Sequence, residues 1–373
     1  MINVLLLNPV YVTLFWALVL HLHRQISHRP KIFLGWFMIV ASQVYLSHFF
    51  YFTQNYNVYY YFDSIYTLAY LLVYPMYHIY VRLLTVDSHF SLKKHFKFLV
   101  VPFVIFVLTL AGYLVMGKEK GMEYVTTVLV GGANPQGMFK LMKVLFTVGR
   151  LMFLGQTVFY LILSFVLIKQ NNIKIQDYYS NTDERRLNWL QFFNISFAFT
   201  SMSSAVLAAL GRNFFLENTF YLLIPSIVFT VMLFVIGLLG NYQRAIFTEI
   251  DSKLDAQDEG KPPLRLKSKL DALFEKEKVY KNPDLKIWDI SSMLGTNRTY
   301  VSRIINSEYN RNFCSHVNHY RIEHAKSLVI SNPNLTHEQI AELSGFGSVN
   351  SLSRAFQSKE GVTLGQFRRK VEG

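Results

Sequence analysis

The chain has 373 residues, of which 51% are hydrophobic and only 16% are charged, whereas about a quarter of residues are charged in ordinary soluble proteins. The charged residues concentrate toward the C-terminus, which excludes a uniform soluble globular protein. The net charge of +13 fits a nucleic acid partner, but basic cytoplasmic loops of a membrane protein give the same balance. The single cysteine, Cys314, excludes an intramolecular disulfide, and we expect it to be a small buried apolar side chain.

Seven apolar runs precede residue 240, each close to the roughly 20 residues that a helix needs to cross a bilayer. They are Val4–Leu22, Ile32–Phe52, Ile65–Leu84, Phe96–Val115, Val144–Ile168, Leu190–Leu210 and Phe220–Leu239. The first run lacks the basic start and cleavage site of a signal peptide, so we expect it to be retained. Buried helices of a soluble protein would leave too little polar surface. We therefore predict an all-α protein whose residues 1–240 form a seven-helix transmembrane bundle in a lipid bilayer.

The orientation of this bundle follows from its loops, because Lys and Arg near span ends stay on the cytoplasmic side. Most of them fall in the links after the first, third and fifth spans, as Arg24, Lys93 and Arg185 do. The N-terminus is therefore predicted outside and the C-terminus in the cytoplasm, in the cytoplasmic (inner) membrane of a bacterium. Seven spans would deliver everything after Leu239 to the compartment that holds DNA.

Three ionisable residues in the predicted spans are candidates for sensing a small-molecule ligand. They are Arg150, His48 and His78. An ionisable group in hydrocarbon is costly unless it is paired or faces water, which favours a functional role. Arg150 fits equally a side chain that extends to the membrane surface. The spans accordingly either sense a signal or only tether the chain.

Ion-coupled transport and catalysis are both disfavoured. No internal repeat relates the spans, and no Asp or Glu lies deep within one, as a proton-coupled carrier requires. The chain also lacks HExxH and GxSxG motifs and paired intramembrane aspartates, which are typical of membrane hydrolases. We predict no enzymatic activity, no metal site and no cofactor.

Residues 241–263 are predicted to form a cytoplasmic linker. Ile246, Ile250 and Leu254 recur every four residues, which places one apolar stripe on a helix. Such a stripe favours pairing with a second copy, so we expect a homodimer. The sequence GKPP at 260–263 then breaks the helix and marks a hinge.

Residues 264–373 contain two stretches that align with one another, "IWDISSMLGTNRTYVSRIINSE" and "QIAELSGFGSVNSLSRAFQSKE". In each, a short helix meets a glycine-containing turn, then a polar residue suited to cap a helix, Asn297 or Ser348, then a second short helix. Between them, "FCSHVNHYRIEHAKSLVISN" predicts one long amphipathic helix. We interpret this pattern as a duplicated helix-turn-helix, whose second helices would enter the DNA major groove about one turn apart.

This region resembles the AraC/XylS family of DNA-binding domains, most specifically in "IAELSGF" followed by "SLSRAFQSKEGVTLGQFRR". It departs from the family pattern at Leu352, where an aromatic residue is common, and at Leu364, where a proline is common. In the first motif Ile305 replaces a common aromatic residue and Ser291 a common alanine. We therefore expect the first motif to be the weaker reader of DNA.

The resemblance implies that the exposed faces of the two second helices contact double-stranded DNA. By position, the contacting residues are Arg298, Thr299, Ser302 and Arg303, and then Ser348, Val349, Asn350, Ser351 and Arg354. Arginine suits a guanine edge and asparagine suits adenine, while a methyl group can touch thymine. A phosphate contact or a salt bridge within the fold is the alternative for each arginine.

Taken together, these patterns predict a membrane-embedded one-component transcription regulator that binds DNA under the control of a signal sensed by the membrane domain. The alternative is a seven-span receptor or facilitator whose cytoplasmic tail recruits a protein partner. Salt dependence separates the two hypotheses, because DNA binding weakens steeply with salt whereas apolar docking does not.

Overall fold

The computed structural model describes most of the chain, in two compact units. The first unit comprises Met1–Ile168 and Asn188–Asp251, and the second comprises Lys169–Leu187 and Ser252–Gly373. The described residues are 2–22, 29–87, 89–182, 190–191, 194–195, 197–198, 219–242 and 265–372. Within these ranges the regular structure is helical, apart from an isolated β-bridge, so the predicted all-α class is confirmed.

The first unit is built from helices that pack mainly against their neighbours in the chain. They are α1 (Ile2–Leu6), α2 (Asn8–Leu22), α3 (Arg29–Phe52), α4 (Tyr56–Thr85), α5 (Leu92–Glu123), α6 (Gly137–Tyr178) and α7 (Leu223–Tyr242). A π-helical turn, Tyr124–Val130, continues α5, and a short 3-10 turn, Thr219–Leu222, precedes α7. From Lys169 onward, α6 belongs to the second unit.

Four helices within the described ranges are long and apolar enough to cross a membrane. They are Pro30–Phe52, Leu92–Val130, Gly137–Tyr178 and Leu223–Tyr242. They contain all or most of the predicted second, fourth, fifth and seventh spans. The predicted first span is divided between α1 and the shorter α2, and the third lies inside α4, which is not among the four. Most of the predicted sixth span lies outside the described residues, so the count of seven stays a prediction.

A buried carboxylate in α4 escaped the sequence analysis. Asp63 precedes the predicted third span, Ile65–Leu84, but α4 already begins at Tyr56 and includes it. Its side chain is only 3% exposed and accepts hydrogen bonds from the hydroxyls of Tyr59 at 2.6 Å and Tyr113 at 2.7 Å. Two tyrosines of the aromatic-rich first unit therefore satisfy this carboxylate, which would otherwise be costly to bury.

The second unit follows the predicted plan of two helix-turn-helix motifs joined by a long helix. Its helices are α8 (Arg265–Glu275), α9 (Ile287–Met293), α10 (Arg298–Tyr309), α11 (Phe313–Ser331), α12 (His337–Ser344), α13 (Val349–Glu360) and α14 (Leu364–Glu372). The first motif is α9 with α10, and the second is α12 with α13. The predicted linker stripe at Ile246, Ile250 and Leu254, and the hinge at 260–263, lie outside the described residues.

Helix α11 connects two separate hydrophobic cores. Its first half contributes Phe313 and Val317 to the core of the first motif, and its second half contributes Ile322, Ala325 and Val329 to the core of the second. Full burial of a large apolar side chain stabilises a fold by about 1.5–3 kcal/mol. Because the same rigid helix supplies both cores, it fixes the spacing of the two motifs.

Candidate DNA-binding interface

The first motif turns sharply between α9 and α10. Gly295 adopts a left-handed conformation with φ of 62°, which glycine tolerates better than any other residue. The side chain of Asn297 then accepts a hydrogen bond from the Tyr300 backbone N–H at 3.0 Å, so the predicted N-cap is confirmed. Val301 and Ile305 are fully buried and anchor the inner face of α10.

The outer face of α10 carries the four residues predicted to contact DNA. Thr299 and Arg303 are exposed, whereas Arg298 and Ser302 are half-buried. The guanidinium carbon of Arg303 lies 5.7 Å from the centre of the Tyr300 ring on the same helix. That of Arg298 lies 4.6 Å from the Tyr178 ring, which belongs to the end of α6. Arg298 is therefore already engaged by a part of the chain remote in sequence.

The second motif has the same turn in a tighter setting. Thr336 and Gln339 cap α12 reciprocally, and Gly345 ends it with φ of 87°. A side chain at Gly345 would overlap the backbone of the loop before α9, since its Cβ would lie 2.6 Å from the Cα of Lys281. Ser348 accepts a hydrogen bond from the Ser351 backbone N–H at 3.1 Å, which confirms the second predicted N-cap.

Helix α13 presents most of its predicted contact residues to solvent. Ser348, Asn350 and Arg354 are exposed, and Val349 and Ser351 are half-buried. The Nε of Arg354 donates to the Asn350 carbonyl at 3.3 Å within the same helix. On the opposite face Leu352 and Phe356 are fully buried in the second core. Among the predicted contact residues, the cap and surface of α13 therefore offer the exposed side chains of Ser348, Asn350 and Arg354 to a ligand.

The departures from the AraC/XylS pattern fall in the two cores. Leu352, Leu364 and Ile305 are buried apolar residues, so each replaces the common residue by another that packs. Ser291 is also buried, and its hydroxyl donates to the Trp288 carbonyl at 2.9 Å. A serine thus substitutes for alanine without an unsatisfied hydroxyl.

Arg321 is a buried charged residue that the sequence pattern does not predict, because an arginine within an amphipathic helix ordinarily faces solvent. It lies in the middle of α11 and is 1% exposed. Its guanidinium donates to the carbonyls of Tyr280 at 2.8 Å and Asn282 at 2.7 Å, and to the hydroxyl of Ser180 at 3.1 Å. Burial lowers the pKa of Arg321 to about 10, so it remains a cation at neutral pH.

The residues predicted to sense a ligand contact different partners in the first unit. His48 lies 3.0 Å from the Tyr66 hydroxyl, and the buried His78 lies 3.1 Å from the Ser164 hydroxyl. Arg150 is exposed, with its guanidinium carbon 5.6 Å from the Phe146 ring. Their sensing role stays a prediction. Within the described ranges, no group of three or more His, Cys, Asp or Glu side chains is arranged to hold a metal ion.

Comparison with known proteins places the two motifs in a family. Residues 290–370 match the family described as "Helix-turn-helix domain". The C-terminal region is an AraC-type helix-turn-helix domain. The chain is also 32% identical over 94 residues to the "Uncharacterized transcriptional regulatory protein YesN" of Bacillus subtilis (strain 168). That match covers 25% of this chain and 26% of the relative, so the chain spans about a quarter of its length.

A solved structure also aligns with the chain. It is the crystal structure of the C-terminal domain of the two-component response regulator yesN from Fusobacterium nucleatum subsp. nucleatum ATCC 25586. The alignment covers 28% of this chain and 98% of that one, at 24% sequence identity. Its TM-score is 0.26, which is too low to bear on the fold.

Proposed function

We propose that this chain is a membrane-embedded one-component transcription regulator whose C-terminal helix-turn-helix domain binds double-stranded DNA. The proposal depends chiefly on one observation: two capped second helices, α10 and α13, carry polar and basic side chains on their outer faces within a domain that matches a helix-turn-helix family. In this proposal residues 1–240 are the sensor domain, 241–263 the linker and 264–373 the DNA-binding domain. The matched family points to a DNA-binding regulator, a class that is typically not enzymatic.

The contacts with DNA divide between the two helices. On α13, Arg354 would bind a guanine edge or a phosphate, and Asn350 would pair with adenine, while Val349 touches a thymine methyl. Ser348 and Ser351 suit the phosphates beside the groove. On α10, Arg303 and Thr299 are the exposed candidates, with Arg298 and Ser302 beside them. Both helices would enter successive major grooves on one side of the duplex.

The membrane part of the proposal is supported by the surfaces of the apolar helices. Large apolar side chains are exposed along α5, α6 and α7, for example Val107, Phe159 and Val231. A soluble surface rarely exposes so many, whereas lipid accommodates them. We propose that these helices belong to seven spans in a bacterial inner membrane, with the N-terminus outside and the C-terminus in the cytoplasm.

A signal would reach the DNA-binding domain because ligand binding is coupled to a conformational equilibrium of the chain. A ligand that binds near Arg150, His48 or His78 would shift the balance between two arrangements of the chain, by no more than its difference in affinity for them. Pairing through the apolar stripe predicted at Ile246, Ile250 and Leu254 would hold two DNA-binding domains together in a homodimer.

The test is DNA binding by the full chain in lipid nanodiscs. A random-sequence duplex pool is enriched over several rounds, and the affinity for the enriched site is measured over a salt series. We expect log Kd to rise linearly with log salt, with a slope set by the number of phosphates contacted. Arg354→Ala should lose the enrichment, whereas Lys269→Ala, an exposed cation on α8, should keep it.

Retention of folded chain on an apolar protein surface but not on any DNA would contradict the proposal. It would favour the alternative in which the tail recruits a protein partner.

A further inference from the structure

The end of α6 and the residues after it form part of the DNA-binding unit. Residues 176–182, here called the latch, belong to the same compact unit as α8 to α14, although they precede α8 by a long stretch of sequence. Tyr179, Ser180 and Thr182 are buried in that unit. These three side chains are therefore packed inside the domain and do not lie on its surface.

Ser180 is the anchor of the latch. Its backbone N–H and its hydroxyl both donate to the Leu285 carbonyl, at 3.1 and 2.7 Å. The same hydroxyl accepts a hydrogen bond from the buried guanidinium of Arg321 at 3.1 Å. A hydrogen bond to a buried charge is stronger than one between neutral groups. Arg321 therefore ties the latch to the helix that joins the two motifs.

The latch also contacts the beginning of both DNA-reading helices. The Tyr178 ring lies 4.6 Å from the guanidinium carbon of Arg298, the first residue of α10. The side-chain amide of Asn181 packs on Gly347, where a Cβ would lie 2.7 Å from its nitrogen. Gly347 comes directly before Ser348, which caps α13. The first residues of such helices are those that contact bases in the major groove.

We propose that the latch is an intramolecular competitor of DNA that lowers the affinity of the domain until it is displaced. The proposal rests on the DNA-binding function proposed above. In this proposal Arg298 reaches DNA only after its guanidinium leaves the Tyr178 ring, which lies 4.6 Å from it, so the latch and DNA compete for this side chain. Coupling between two binding events is reciprocal. A ligand that releases the latch therefore raises the affinity for DNA by the same factor by which DNA raises the affinity for that ligand. Helix α6 contains the predicted fifth span and ends at Tyr178, which gives a signal a covalent route to the latch.

The first experiment compares DNA affinities of full-length chains in nanodiscs. Tyr178→Ala removes the ring that holds Arg298, and Tyr178→Phe keeps it as the matched control. We expect Tyr178→Ala to bind the enriched duplex roughly three- to tenfold more tightly than the wild type, the range expected for loss of a partly buried cation–π contact. Tyr178→Phe should bind like the wild type. Equal or weaker binding by Tyr178→Ala would contradict the proposed competition and would assign residues 176–182 a purely structural role.

The second experiment needs no substitution in the latch, because the chain carries its own reporter. Cys314 is the single cysteine, it is 8% exposed, and its Sγ lies 3.4 Å from the Ser180 carbonyl. If DNA displaces the latch, saturating duplex should raise the alkylation rate of Cys314 severalfold, and Cys314→Ser gives the background. An alkylation rate that is unchanged at saturating DNA would overturn the proposal.

The two proposals fail in different ways. If no variant binds any DNA, the DNA-binding function itself is contradicted, and the latch as a competitor falls with it. If all variants bind DNA equally well, the function stands and only the latch is overturned. In both situations the Cys314 alkylation rate is also compared between Tyr178→Ala and Tyr178→Phe without DNA. A faster rate in Tyr178→Ala would show that the latch shields Cys314 and that the Tyr178 ring holds it in place.

Discussion

The two helix-turn-helix motifs share one plan but differ in what surrounds them. In the first motif a Cβ added to the turn glycine, Gly295, would meet open space. The first residue of α10, Arg298, contacts the Tyr178 ring. In the second motif the reverse holds, because Gly345 packs on backbone while Arg354 is exposed on the reading helix. The second motif therefore has the more tightly packed turn. In the first motif the latch contacts a predicted DNA-binding side chain, Arg298, whereas in the second it contacts the glycine before the cap, Gly347.

The largest expected effect concerns the two turns. Gly345→Ala adds a backbone overlap to an unfavourable left-handed φ, and we expect it to lower the free energy of unfolding of the domain by about 3–5 kcal/mol. Gly295→Ala adds only the conformational strain, about 1–2 kcal/mol. Hydrogen exchange of the α12 and α9 amides in the full chain measures both. Equal losses at the two glycines would contradict the difference in packing.

The second prediction uses pH to separate the two cores. His316 on α11 is buried among three aromatic rings of the first motif, those of Phe274, Tyr309 and Tyr320. Burial lowers the pKa of His316 to about 4. The positive charges of Arg311 and then His319 add to this effect, and Asp271 opposes it more weakly. An unfolded chain has a histidine pKa of about 6.5. Between about pH 4 and pH 6.5 the unfolded state therefore binds more protons at His316 than the folded state does. The stability from neutral His316 is therefore complete above pH 6.5 and is lost as the pH falls toward 4, by about 3 kcal/mol.

Hydrogen exchange of the α10 and α11 amides at pH 7 and pH 4.5 measures this loss, after correction for intrinsic exchange rates. His316→Phe keeps an aromatic ring and should remove most of the pH dependence. An unchanged pH dependence in that variant would assign the loss to other groups.

The third prediction compares the arginines of the two reading helices. Arg354→Ala should weaken binding to the enriched duplex by about 1–3 kcal/mol, the range for a lost bidentate base contact. Arg298→Ala should cost less, because it removes the latch contact together with the DNA contact. Isothermal or fluorescence titration of both variants measures the order. A larger loss for Arg298→Ala would make the first motif the principal reader.

The smallest expected effect concerns the two caps. Asn297→Ala and Ser348→Ala each remove a hydrogen bond to the first turn of a reading helix and should cost about 1 kcal/mol of stability. Asn297→Asp and Ser348→Thr retain a capping oxygen and serve as controls, with losses of a few tenths of a kcal/mol. Thermal unfolding of the domain within the full chain provides the measurement. Losses as large in the controls would assign the effect to some other role of these side chains.

Local sequence patterns predicted much of this molecule. The glycines, the caps at Asn297 and Ser348 and the periodicity of α11 specify the duplicated motif, because each acts within a few residues along the chain. The latch was not predictable in this way, since the Ser180 to Arg321 contact joins residues far apart in sequence. The burial of Asp63 was not predictable for a similar reason: its partner Tyr113 lies on another helix, and a carboxylate between tyrosines resembles a link until that partner is known.

The most direct test of the central claim is a footprint of the full chain, in nanodiscs, on its enriched duplex. If both motifs read DNA from one rigid domain, two protected segments should appear about 10 base pairs apart on the same face of the duplex. As the protein concentration is lowered, Arg354→Ala should lose protection of the DNA segment contacted by α13 before it loses protection of the segment contacted by α10. Failure of the folded chain to protect any segment, or protection that Arg354→Ala leaves unchanged, would contradict the account.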